Sequence, residues 1–229
     1  MNKIKVRDNI EEIILKEDTI LTLEDINKNI KYIINDNIKV FNYIKNSNLN
    51  IEYEINESAE INIFTIDTTL NIDLNLNKKN INLNYNYSTL NKNKNDYKVN
   101  INHNKENQTS KIVNHGINLE NNKLNFIVNT NVPKKATKTK ANQDSKIILF
   151  GEKTAEIHPN LLINNNDIEA NHSAYIGDFK KDEIFYLKSR GLPLESARKL
   201  LAKSFLIGSM NITYKEINII LEKLNKYWR

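Results

Sequence analysis

The chain has 229 residues, enough for one sizeable core or for a β body with an appended helical module. Its 33 basic and 28 acidic residues are intermixed and leave a net charge of only +5. That is too mild for a nucleic-acid footprint, which needs cations gathered on one face. The absence of cysteine excludes a disulfide framework and any all-protein thiolate metal site, and it fits a reducing compartment.

The opening stretch MNKIKVRDNIEEIILKED spaces its charges too closely for a secretory apolar core. No apolar run approaches the ~18 residues that a membrane span needs, so a cytoplasmic location without membrane contact is expected. The same stretch predicts a helix, capped by Asp8 with Glu11 three residues on, and with Ile10, Ile13 and Ile14 as its stripe. A second amphipathic segment around Leu23, Ile26 and Ile30 gives way to strand character at Ile33, Ile34, Ile38 and Val40. Residues 1–49 thus read as a short helix-and-strand segment.

From Asn50 to Tyr87 the chain alternates cleanly. Ile51, Tyr53 and Ile55 oppose Glu52, Glu54 and Asn56, with Ile61 and Ile63 on the same parity. Leu70, Ile72, Leu74 and Leu76 oppose Asn71, Asp73 and Asn75, and Ile81, Leu83, Tyr85 and Tyr87 oppose Asn82, Asn84 and Asn86. Many short strands with one buried face are implied. An antiparallel sandwich would need tight hairpins, but neither Asn-Gly nor Asp-Gly occurs and there are only five glycines. A β-solenoid can turn its corners with asparagine in the left-handed region and stack asparagine between rungs, so composition favours the solenoid.

Strands resume around Tyr97, Ile101, Leu119, Phe126 and Ile147, and no linker interrupts residues 50–176, which are taken as one β body. Lys134, Lys135, Lys138 and Lys140 beside Pro133 read as an exposed loop. His103, His115 and His158 form no ligand set by spacing and read as surface or loop histidines. In the last strand Ile168, Ala170, His172, Ala174 and Ile176 share one face, which puts a histidine on the inward parity; by spacing alone it is a hydrogen-bonded core residue.

Residues 177–229 read as a helical module. Asp182 caps a helix carrying Ile184, Phe185 and Leu187, Gly191 stands at its left-handed end, and Pro193 restarts a helix. Leu194, Ala197, Leu200, Leu201 and Phe205 form its stripe. Thr213 and Glu216 form a capping box ahead of Ile217, Ile220, Leu221, Leu224 and Trp228. No glycine-rich phosphate loop, zinc helix, serine elbow or calcium loop is present.

The strings GEKTAEIHPNLLINNNDIEANHSAYIG and IFYLKSRGLPLESARKLL resemble the C-terminal signature of the SufB/SufD family, the scaffold subunits of SUF iron–sulfur cluster assembly. HNKENQTSKI and ANQDSKIILF extend the likeness back to about His103. The resemblance implies a right-handed parallel β-helix with a C-terminal helical module, and a longer N-terminal region in relatives that is absent or shortened here. It implies a non-catalytic, SufD-like scaffold with no cofactor of its own, cysteine being the residue a SufB-like subunit would contribute. His172 becomes an iron or cluster ligand in trans, at the interface with a SufB-like subunit or a second copy, where a transient iron–sulfur cluster would form. Phe185, Tyr186, Leu187, Ser189, Arg190 and Gly191 fall in the region that docks SufC, an ATP-binding-cassette ATPase. The rival expectation is a β-solenoid carbohydrate-active protein, which would need a groove lined by carboxylates.

Overall fold

The structure, a computed structural model, describes residues 12–93, 95–119, 123–150 and 154–228, together with the backbone of Asn2–Lys5. The strands run β1 Asn2–Lys5, β2 Glu12–Leu15, β3 Thr19–Glu24, β4 Asn27–Ile34, β5 Ile38–Lys45, β6 Asn48–Ile55, β7 Ala59–Ile66 and β8 Thr69–Leu76. They continue as β9 Asn82–Asn91, β10 Asn95–His103, β11 Thr109–Asn118, β12 Lys123–Val132, β13 Thr139–Leu149, β14 Thr154–Ile163 and β15 Ile168–Gly177. Three helices follow: α1 Lys181–Ser189, α2 Leu194–Gly208 and α3 Tyr214–Tyr227.

The odd strands form one sheet in chain order and the even strands a second, and neighbouring strands pair in parallel. The chain therefore alternates between two walls and coils as a parallel β-helix. Side-chain ladders mark the pitch. Asn29, Asn50 and Asn71 bond amide to amide at intervals of 21 residues. Later coils are wider: Asp73, Asn100, Asn129 and Asn160 are linked in succession at intervals of 27, 29 and 31.

Corners are turned as the asparagine content suggested. Asp25, Asn46, Asp67, Asn80 and Asn107 all have positive φ, as does Lys138. Short amide and carboxylate side chains tolerate that region because they can bond locally. Asn46 donates to Asp25 at 3.2 Å, so one corner also holds the next.

Alternate residues of both walls fill the interior. Ile51, Tyr53, Leu74, Tyr85, Val99 and Phe126 are each 1% exposed or less, and every such aliphatic contributes roughly 1.5–3 kcal/mol by leaving water. Some buried tyrosines are hydrogen-bonded across the interior: Tyr97 Oη donates to Asn114 Oδ1 at 2.9 Å and lies 3.1 Å from Tyr85 Oη. A second core lies on the outer face of the odd sheet. There Phe41, Tyr43, Phe64, Ile66, Leu90 and Ile117 meet Ala202 and Leu206 of α2 and Ile220 and Leu224 of α3.

Four expectations are corrected. Glu12–Leu15 is a strand, because Ile13 and Ile14 join a parallel ladder with Tyr32 and Ile33; Asp8, Ile10 and Glu11 lie outside the described residues. Leu23 and Ile30 likewise belong to β3 and β4, not to a helix. The cap of α1 is Lys180, whose backbone N–H donates to Glu183, and Asp182 sits in the first turn. Leu194 and Leu200 are half exposed, because α2 faces the sheet through Ala197, Ala202 and Leu206. The Thr213–Glu216 box forms as expected, with Glu216 accepting from the Thr213 backbone at 2.6 Å.

Candidate functional site

Inward parity does place His172 in the coil, directly above Gln143 of β13 in register. The Gln143 row (Thr139, Ala141, Ser145, Ile147) is buried, yet His172 is exposed. The reason is position in the stack. β15 is the last strand of its sheet, and no coil follows to cover it. The expected core histidine is therefore corrected to an open one, which makes no hydrogen bond or ion pair with any described residue.

The other wall ends the same way. Ile157, Pro159, Leu161 and Ile163 of β14 continue the buried row Phe126, Val128, Thr130 and Val132 of β12, but remain half exposed. With Ala170, Ala174 and Ile176 they frame an apolar mouth around His172. Both final strands also present an unpaired backbone edge, which is a template for another chain. Among the described residues, no three His, Cys, Asp or Glu side chains gather as a metal set. His172 can thus supply one neutral nitrogen ligand, and any further ligands must come from elsewhere.

α1 is the second exposed feature, for it buries no residue. Phe185 is 73% exposed and Tyr186 56%, and the Arg190 guanidinium stands 5.3 Å over the Tyr186 ring. Ser189 and Gly191 are exposed as well, while Leu187 is half buried. Gly191 has φ 90°, and Leu192 N–H bonds back to Leu187 O at 3.2 Å, closing the helix end. Only residues 178–180 separate β15 from α1. That turn is tied down by Tyr175 Oη donating to Asp178 O at 2.9 Å and by Arg198 donating to Asp178 Oδ1 at 2.8 Å.

The remaining histidines separate. His158 is exposed on β14 and pairs with Glu156 at 3.2 Å. His103, expected at the surface, is fully buried; its Nε2 lies 3.0 Å from Ser110 Oγ, and burial lowers its pKa to about 4. His115 is also a correction. It stacks on Phe205 of α2 at 4.1 Å and its Nδ1–H donates to the Phe205 carbonyl at 2.8 Å, so it anchors the helical module to β11. Desolvation under α2 lowers its pKa. The sequence signal for these two was their place on strand parity, which spacing between histidines ignores.

Among the described residues, the carboxylate pair nearest to a catalytic arrangement for a carbohydrate-active solenoid is tied up in ion pairs and amide contacts. Glu52 and Glu54 share the outer face of the even sheet, but Lys31 bridges both at 3.4 Å and Glu54 accepts from Asn75 and Asn77.

Comparison with known proteins fits this architecture. Residues 5–205 match the family model described as "SUF system FeS cluster assembly, SufBD core domain". The chain belongs to the SufBD core family. It is similar to the iron–sulfur cluster assembly protein SufD of Bacillus subtilis, 36% identical over 77 residues, or 33% of this chain and 18% of that protein. SufD of Escherichia coli is 34% identical over 77 residues, 33% of this chain and 18% of its own length. SufD of Plasmodium falciparum is 35% identical over 105 residues, 42% of this chain and 7% of its own length. The aligned stretches thus span less than a fifth of each of these relatives. The SufBD match takes in the coiled body, α1 and most of α2, whereas α3 lies beyond it. No described helix is long and apolar enough to cross a membrane.

Proposed function

We propose that this SufBD-family chain is a non-catalytic, SufD-like scaffold subunit of a SUF-type complex, working in the cytoplasm. Its open coil end pairs with a SufB-like subunit or a second copy, and α1 docks a SufC-like ATP-binding-cassette ATPase. The observation that carries this reading is the uncovered last coil: two unpaired strand edges around an apolar mouth with a free histidine in it. Such an edge is a liability unless a partner covers it.

The iron–sulfur cluster is cargo here, assembled at the joint and passed on. His172 contributes an imidazole nitrogen, and sulfur ligands come from the partner, since this chain has no thiol to offer. α1 hands ATPase motion to the joint: the turn at 178–180 joins it directly to the strand that carries His172.

The test is co-purification with a SufB-like partner. Ala174→Glu sets a charge at an exposed position of the mouth. Loss of pairing with an unchanged far-ultraviolet spectrum is the expected result. Unchanged pairing overturns the assignment of the open end as the joint.

A further inference from the structure

Gln143 is 3% exposed and sits one rung beneath His172 on the same inward face. Its amide reaches across the coil interior. Nε2 lies 2.6 Å from Thr130 Oγ1 and 3.4 Å from both Val128 O and Asn160 O. The two backbone carbonyls can only accept, so the atom facing them is the NH₂ group, and Oε1 is turned elsewhere. That oxygen is buried and has no hydrogen-bond partner in the structure. A buried acceptor left unpaired is destabilising, which calls for a donor.

The side chain stacked on Gln143 is the one that has no partner of its own. His172 and Gln143 are register partners on adjacent parallel strands, and in-register neighbours project side by side from one face. Imidazole has one N–H to give, and a metal-binding histidine works best when that proton is held by a fixed acceptor, which sets the tautomer and turns the other lone pair outward.

We propose that Gln143 is the positioning residue for His172: its Oε1 accepts one imidazole N–H and leaves the second nitrogen bare toward the mouth. The role of that bare nitrogen as a ligand rests on the function proposed above, but the hydrogen bond, which a turn of the exposed imidazole would make, needs neither metal nor partner and is tested in the isolated chain. The measurement is the ring-nitrogen spectrum of ¹⁵N-histidine-labelled protein, without metal or partner, in alkaline buffer well above the ordinary imidazole range. A single His172 tautomer is expected, turning to a mixture of both in Gln143→Met, while His103 on Ser110 keeps its own tautomer. Should Gln143→Met fail to fold, Gln143→Asn withdraws the same acceptor by one methylene while keeping an amide in the coil, with the same result expected. A tautomer mixture in the unmodified chain, or one tautomer unchanged in the folded variant, overturns the proposal. In the assembled complex the substitution is expected to weaken cluster retention by on the order of 10-fold or more. Failure of that arm alone, with the tautomer effect intact, would fault the ligand reading and not the positioning.

Discussion

Arg198 holds Asp178: its guanidinium donates to Asp178 Oδ1 at 2.8 Å and to Leu149 O at 3.3 Å while lying 4.6 Å over the Phe150 ring. One side chain of α2 therefore grips the end of β13 and the turn between β15 and α1. As a partly exposed pair it contributes no more than about 1 kcal/mol to stability. Its value is geometric. Asp178→Ala is expected to leave the melting temperature within a few degrees, yet to speed amide exchange at residues 176–181, as read by hydrogen–deuterium exchange.

The exposed pair Tyr186 and Arg190 stacks on itself at the end of α1, a helix that buries no residue. Tyr186→Ala and Arg190→Ala are expected to weaken ATPase binding by about 10-fold or more each, since aromatic and arginine anchors dominate interfaces. Calorimetric titration of the ATPase checks this, with unfolding midpoints unchanged.

His103 gives the body a pH dependence of known sign. Its folded pKa of about 4 lies below the 6.5 of the unfolded chain, so the unfolded state binds the extra proton between those values. Stability is full above pH 6.5 and falls as pH drops toward 4, by on the order of 3 kcal/mol. His115 acts in the same direction through its burial under α2. Urea midpoints measured across pH 4.5–7 should show this slope, and His103→Leu should flatten it.

Gly116 faces inward where a Cβ would stand 2.7 Å from Phe126 Cζ and 2.8 Å from Leu124 Cδ2. Gly116→Ala is expected to cost about 1–3 kcal/mol by overpacking, measured as a lowered denaturation midpoint.

Much of this was legible in the chain. The alternation at Ile51–Ile55 and Leu70–Leu76 reports a buried wall, and asparagine-rich corners report a coil instead of hairpins. Phe64 and Ile66 carried a further signal, since apolar residues on the outward parity of β7 require a cover, which α2 and α3 provide. Other features depend on context that local pattern lacks. Ile10, Ile13 and Ile14 suit a helical stripe, and only the ladder to β4 makes Ile13 and Ile14 part of a strand. His172 has core periodicity, but its exposure follows from being in the last coil, which no window of sequence reveals. Gln143 was invisible for a related reason: its significance lies in a register partner 29 residues away, the spacing that the Asn142–Asn171 bond marks on the neighbouring row.

Cluster retention in the assembled complex puts the account at greatest risk. With a SufB-like partner and the ATPase present, the His172→Ala complex should assemble normally and lose most of its iron, with the visible absorption of the cluster falling accordingly. A His172→Ala complex that holds iron and sulfide at the level of the unmodified protein would contradict the assignment of His172 as this chain's ligand at the joint.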